Sequence, residues 1–139
     1  MNSPVRIAPH LCFDGQCKSA FEAYRLLLGG SITTMLSYGD SPMAAQVKPQ
    51  WHGHIVHATL LIDGAELTGA DMLPPGYRKP QGFFVTLTMD GVERAREIFG
   101  ALAAGGAIGV AFQPTFWSPG FGVLTDRFGV PWEINCGRA

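Results

Sequence analysis

The chain has 139 residues, enough for one ordinary domain or for two very small modules that share a core. Apolar residues make up 47% and charged residues 15%, a balance that excludes a generally disordered chain. The formal net charge of −1 provides no basic surface for nucleic acid, and no apolar run is long enough to span a bilayer.

The first ten residues and the cysteines indicate a cytoplasmic protein. The segment MNSPVRIAPH lacks the long apolar stretch of a secretory signal peptide. Cys12, Cys17 and Cys136 are odd in number and include no CxxC pair, which argues against a disulfide framework or a structural zinc site. We therefore expect reduced thiols in the cytoplasm, with neither a membrane nor a nucleic acid as partner.

The first half of the chain predicts one strand, one helix and three further strands. Asp14-Gly15 and Gly29-Gly30 bracket the helical segment, in which Phe21, Tyr24 and Leu28 share one face. Asp63-Gly64 is typical of a tight turn between two paired strands. The predicted strands are residues 7–13, 31–37, 54–62 and 66–70.

The second half predicts the same order of elements. Asp90-Gly91 and Gly105-Gly106 bracket a helical segment in which Ala95, Phe99 and Leu102 share one face. The predicted strands are residues 84–89, 107–112, 122–125 and 131–136. The intervening segment MLPPGYRKPQ, residues 72–81, contains three prolines and indicates a linker.

The two halves form an internal repeat with an offset of 76 residues at the helices. Each half has the order βαβββ, and we expect modules at residues 5–71 and 78–137. A single half would leave its sheet half-covered, so pairing two halves is the way to bury that surface. The predicted class is α+β, with residues 1–139 forming a single domain made of the two modules.

Four segments carry a resemblance to a known family. They are APHLCFDGQCKSAFEAY at 8–24, SYGDSP at 37–42, IVHATLLIDGAEL at 55–67 and PTFWSPGFGVLTDRFGVPWEIN at 114–135. The chain resembles the PhnB-like branch of the vicinal-oxygen-chelate superfamily, which includes glyoxalase I, extradiol dioxygenases, and fosfomycin and bleomycin resistance proteins. The resemblance implies curved mixed sheets that enclose a cavity, and commonly a homodimer. Some relatives are labelled ubiquinone-pathway methyltransferases, but the sequence has no GxGxxG turn, so we expect no nucleotide cofactor.

The resemblance also implies a site for one divalent metal ion. In metal-binding members, four strands each supply one ligand and leave open positions for two adjacent substrate oxygens. Glu133 matches the carboxylate of the last strand, whereas Phe84 stands where a histidine is usual. Similarity to glyoxalase I favours Glu66 as a further ligand, while the internal repeat instead pairs Thr68 with Glu133. The candidate metal ligands are His10, His57, Glu66 and Glu133.

Other residues are candidates for binding a small-molecule ligand. Phe84, Trp117 and Trp132 could form an aromatic cavity, and Asp71 ends a strand near its entrance. Alternation along the last strand places Glu133 opposite Trp132, on the inner face, where it is the main carboxylate and the candidate catalytic group. The loop at 40–53 and the linker are the expected dimer contacts.

Two functions are compatible with these residues. One is a metal-assisted lyase, isomerase or oxygenase that acts on a small oxygenated molecule. The other is a metal-free small-molecule-binding or resistance protein of the bleomycin-sequestering type. Phe84 at a usual ligand position favours a site that differs from that of glyoxalase I.

Overall fold

The computed structural model describes residues 2–139, which divide into two compact units at residues 77 and 78. Each unit contains one long helix and one four-stranded mixed sheet. The predicted α+β class and the βαβββ order of both halves are confirmed. The division falls inside the proline-rich segment at 72–81.

The first unit has the strand order β1-β4-β3-β2. β1 and β4 are parallel, and the other neighbouring strands are antiparallel. Asp63 and Gly64 both have positive φ, as the tight turn between β3 and β4 requires. The elements are β1 (His10–Phe13), α1 (Cys17–Leu28), β2 (Ser31–Ser37), β3 (Ile55–Ile62) and β4 (Ala65–Asp71), with short 3₁₀ turns at Ala44–Gln46 and Pro49–Trp51.

The second unit repeats this arrangement with the order β5-β8-β7-β6. β5 and β8 are parallel, and the other neighbours are antiparallel. Its elements are β5 (Val85–Met89), α2 (Val92–Ala103), β6 (Ala107–Gln113), β7 (Phe121–Thr125) and β8 (Pro131–Cys136). Among residues 2–139, no helix has the length and apolar character needed to cross a membrane.

Each helix packs on one face of the sheet of its own unit. A Cβ added to Gly69 of β4 would lie 2.8 Å from the ring of Phe21 in α1. A Cβ added to Gly122 of β7 would lie 2.5 Å from the ring of Phe99 in α2. Because side chains alternate along a strand, the residues between the helix-facing ones project from the opposite face of each sheet.

Several predicted strand limits require correction. The first strand begins at His10 rather than at residue 7, and Ile7 is 95% exposed. Phe84 lies one residue before β5 rather than inside it. The register that pairs Val85 with Trp132 places Pro131 beside Phe84, and proline has no N–H to donate to the ladder.

Candidate functional site

One residue from each strand forms a row across the face of the first sheet opposite α1. Parallel pairing places His10 beside Thr68, and antiparallel pairing places Thr68 beside Thr59 and Thr59 beside Thr34. Leu11 and Phe13, which alternate with His10 and Cys12, are buried. The row of His10, Thr68, Thr59 and Thr34 is therefore a polar strip on a sheet whose other face is apolar.

His10 makes a defined hydrogen bond within this polar strip. Its Nδ1 lies 2.8 Å from Oγ1 of Thr68. The same hydroxyl donates to the carbonyl oxygen of Pro9 at 3.0 Å, and that oxygen also accepts the backbone N–H of Thr68 at 3.0 Å. The ring of His10 is thus fixed by a hydroxyl whose own orientation is fixed.

A second imidazole lies next to the first. The rings of His10 and His57 are nearly parallel, with centroids 6.1 Å apart and an interplanar angle of 13°. Nε2 of His57 lies 3.4 Å from Oγ1 of Thr59, a long contact. Partial burial lowers the pKa of His10, and repulsion from a charge on His57 lowers it further. Both effects favour the uncharged form of His10.

The second sheet has an equivalent row on the face opposite α2. Thr86 lies beside Glu133, Glu133 beside Val123, and Val123 beside Val110. The hydroxyl of Thr86 donates to Oε1 of Glu133 at 2.9 Å. The register thus reproduces the internal repeat: Thr86 takes the place of His10, and Glu133 takes the place of Thr68.

An aromatic pair extends the face that carries Glu133. Phe121 of β7 lies beside Asn135, which is two residues after Glu133 and points to the same face. The ring of Trp117 meets that of Phe121 edge-on with centroids 5.2 Å apart, and Trp117 is 55% exposed. Trp117 is thus an exposed ring beside Phe121, and the ring of Phe84 is exposed as well.

Trp132 and Asp71, which the sequence predicts as ligand-binding residues, are both buried. Trp132 is fully buried on the helix side of its sheet, and its Nε1 donates to Oδ2 of Asp126 at 2.9 Å. Asp71 is 1% exposed, and its two carboxylate oxygens accept the backbone N–H groups of Cys17 and Ile55. Trp132 therefore joins the core of the second unit, and Asp71 joins the start of α1 to the start of β3.

Comparison with known proteins assigns the family. A family model described as 3-demethylubiquinone-9 3-methyltransferase matches residues 5–135. The chain belongs to this PhnB-like family. Protein YjdN of Escherichia coli K12 is 36% identical over 137 residues, which cover 93% of each chain.

Solved structures agree with this assignment. Protein PA1353 from Pseudomonas aeruginosa is 38% identical, with a TM-score of 0.90 over 98% of this chain and 100% of that one. A putative 3-demethylubiquinone-9 3-methyltransferase, PhnB protein, from Bacillus cereus is 25% identical, with a TM-score of 0.81 over 95% and 99%.

A more distant solved structure shares the fold. The fosfomycin resistance protein FosX from Listeria monocytogenes, solved with Mn(II) and a dihydroxypropylphosphonic acid, has a TM-score of 0.62. It is 11% identical and covers 97% of this chain and 93% of its own, so the likeness concerns the fold alone. The fold that the resemblance to the vicinal-oxygen-chelate superfamily predicts is therefore confirmed.

The candidate metal ligands of this PhnB-like chain do not form a ligand set. Among residues 2–139, no group of three or more His, Cys, Asp or Glu side chains is placed to hold a metal ion. Glu66 shares a face with Thr68 but is exposed and lies beside Leu61. A catalytic zinc site commonly uses three protein ligands, whereas only His10 and His57 meet here. The arrangement of the described residues therefore does not fit a metal centre.

Sequence reasoning missed the threonines of the two rows as a group. Thr59 and Thr34 were indistinguishable from ordinary strand residues, because threonine is common in strands for its branched side chain. The signal that could have found them is register: the alignment of four strands, rather than any one segment, brings them beside His10 and Thr68. The hydrogen bond of Trp132 to Asp126 likewise depends on the folded turn between β7 and β8.

Proposed function

We propose that this PhnB-like protein binds a small oxygenated molecule at the polar rows of its sheets and does not require a metal ion to do so. One observation carries the proposal: the polar groups on these faces pair with threonine hydroxyls instead of converging as metal ligands. This corresponds to a small-molecule-binding or resistance protein of the sequestering type.

The rows offer hydrogen-bond acceptors to such a molecule. Oε1 of Glu133 already accepts from Thr86, while Oε2 receives no hydrogen bond from residues 2–139. A hydroxyl group of the ligand would donate to this oxygen, and the exposed edge of Trp117 would cover an apolar part of the ligand. The proposal does not include methyl transfer, because the sequence lacks the glycine-rich turn that such enzymes typically use for their cofactor.

A metal-assisted lyase, isomerase or oxygenase is the second candidate. The observation that favours it is the pair of adjacent imidazoles, since neutral imidazole is a common metal ligand. FosX has the same fold and was solved with Mn(II). In that case His10, His57 and Glu133 would be the first ligands to test, with Glu66 as a further one.

Metal content separates the two candidates. The protein is purified without a metal-affinity tag, and its bound divalent metals are measured by elemental analysis. The binding proposal expects much less than one metal ion per chain and unchanged ligand binding after chelator treatment. About one tightly bound divalent ion per chain would overturn it, because such binding needs several convergent ligands.

Glu133→Gln tests the binding site itself. A panel of small diols, hydroxy acids and bleomycin is screened by thermal shift, with the chelator-treated protein. Compounds that stabilise the wild-type protein should lose at least about tenfold in affinity in Glu133→Gln, since a charge-assisted hydrogen bond contributes about 1.5–3 kcal/mol. Glu97→Gln on the exposed surface of α2 is the matched control and should bind as the wild type does.

We also propose that the protein acts as a cytoplasmic homodimer. The support is the odd number of cysteines, which include no CxxC pair, and the family resemblance. The three cysteines are free thiols in the structure, in keeping with a reducing compartment.

A further inference from the structure

The hydroxyl of Thr68 has one proton, and the structure shows where that proton goes. Oγ1 of Thr68 lies 3.0 Å from the carbonyl oxygen of Pro9. A carbonyl oxygen only accepts, so the hydroxyl must be the donor in this bond. Its proton is therefore used, and toward any other partner Thr68 offers only a lone pair.

That other partner is Nδ1 of His10, at 2.8 Å. Since the hydroxyl can only accept there, Nδ1 must carry a hydrogen. A neutral imidazole has one N–H, so its second nitrogen, Nε2, is then a bare acceptor. From this we propose that Thr68 is a positioning residue, which holds His10 in its Nδ1–H form and presents Nε2 as the acceptor for a ligand hydroxyl. The ligand role rests on the proposed function, whereas the tautomer does not.

The donor bond of Thr68 is itself held in place. The carbonyl oxygen of Pro9 also accepts the backbone N–H of Thr68, so two hydrogen bonds join the same two residues. The hydroxyl therefore has little freedom to turn its proton toward His10.

In the equivalent row of the second unit, the threonine hydroxyl donates its hydrogen bond instead of accepting one. Thr86 occupies the place of His10, and its hydroxyl donates to Glu133. In the first unit the hydroxyl is on the neighbouring strand and accepts from the ring. In both rows, the result is one group that offers a lone pair: Nε2 of His10 in one and a carboxylate oxygen of Glu133 in the other.

The position of the His57 ring is consistent with Nε2 of His10 acting as a hydrogen-bond acceptor. His57 stacks on it at 6.1 Å, and two charged imidazoles at this distance would repel each other. Partial burial and His57 both lower the pKa of His10, which favours its neutral form. Only the neutral form has a nitrogen that can accept.

Nitrogen NMR reads the tautomer directly. Long-range ¹H–¹⁵N correlation spectra of the ¹⁵N-labelled full chain are recorded in mildly alkaline buffer, and His10 is assigned from the spectrum of His10→Gln. The expected result is a protonated Nδ1 and a bare Nε2 for His10. A wild-type protein in which Nε2 of His10 carries the proton would overturn the proposal.

Three variants show whether Thr68 is the cause. Thr68→Val keeps the shape but removes the acceptor, and the His10 signals should move toward the Nε2–H form that free imidazole side chains favour. Thr68→Ser keeps the hydroxyl and should retain the wild-type pattern. Thr59→Val, on the next strand of the same row, is the matched control and should leave His10 unchanged.

An unchanged His10 pattern in folded Thr68→Val would also overturn the proposal. Because the spectra are recorded without a ligand, they separate the two ideas. If Glu133→Gln binds all compounds of the panel as the wild type does while the tautomer is as expected, the proposed function fails and the role of Thr68 in fixing His10 stands.

Discussion

His10 and Glu133 hold related positions in their sheets, and each is stabilised there by a threonine on the neighbouring strand. Thr86 gives Glu133 a proton donor, which offsets part of the cost of removing a carboxylate from water. Thr68 gives His10 an acceptor for its Nδ1–H. At the scale of single residues, the choice of carboxylate or imidazole therefore decides whether the threonine donates or accepts.

The lowered pKa of His10 predicts a dependence of stability on pH. Folding disfavours the protonated ring of His10. The contribution of His10 to the free energy of unfolding is therefore fully present above the unfolded pKa of about 6.5. It is lost as the pH falls through the folded pKa. Urea unfolding should therefore show a lower free energy of unfolding at about pH 5 than at about pH 8. In His10→Asn this decrease should be smaller, and an equal decrease in both proteins would contradict the prediction.

The two tryptophans of the last long motif predict opposite results on substitution. Trp132→Phe removes the donor to buried Asp126 and leaves a small void, so we expect a loss of about 1–3 kcal/mol in the free energy of unfolding. Trp117→Phe, at the exposed aromatic pair, should change it by less than about 0.5 kcal/mol. Chemical denaturation measures both, and equal losses would show that Trp132 is not the structural tryptophan.

At the scale of elements, each unit places a glycine of the sheet under an aromatic ring of its helix. Gly69 lies under Phe21, and Gly122 lies under Phe99. The absence of a side chain lets the ring approach the strand closely. The pairing recurs in both units, so the close contact between helix and sheet is a feature of the repeated fold rather than of one sequence.

Gly69→Ala should destabilise the protein by about 1–3 kcal/mol, because the new methyl group meets both the Phe21 ring and the carbonyl oxygen of Leu11. Gly100→Ala is the control. A Cβ at Gly100 in α2 meets nothing within 4 Å, so there we expect a gain of about 0.5–1 kcal/mol from helix propensity. The two free energies of unfolding are compared by urea titration. A neutral Gly69→Ala would show that α1 is not closely packed on β4.

The sequence predicts the elements better than it predicts the site. Asp-Gly and Gly-Gly pairs locate both helices, because glycine adopts the positive φ found after each helix at Gly29 and Gly105. The face of Glu133 also follows from alternation along its strand. The Thr68 bond to His10 does not, because it depends on parallel pairing of strands 58 residues apart and on the direction of a hydroxyl proton. The burial of Asp71 could not be predicted from its own strand either, because it depends on the backbone N–H groups of two residues far away in the sequence.

At the scale of the whole molecule, the two units show how one fold can carry different chemistry. In the first unit, all four residues of the row from His10 to Thr34 are polar. In the second unit, two of the four equivalent positions are occupied by Val123 and Val110. Both sheets remain covered on the opposite face by helix α1 or α2. The conserved order of elements therefore supports the fold, while substitutions along one row change what each sheet can bind.

The proposed homodimer leads to a prediction about the edge strand β6. Ile108 is 58% exposed on this edge, and exposed apolar edge strands favour association through their unpaired backbone groups. Light scattering at high micromolar concentration should give twice the chain mass for the wild type. Ile108→Lys should shift it toward the mass of one chain, since a lysine on an edge opposes pairing. Leu26→Lys, on the exposed side of α1, is the matched control and should remain dimeric. If Ile108→Lys remains dimeric, the contact lies elsewhere, and the 40–53 loop is the next segment to test. A monomeric wild-type protein would refute the dimer itself.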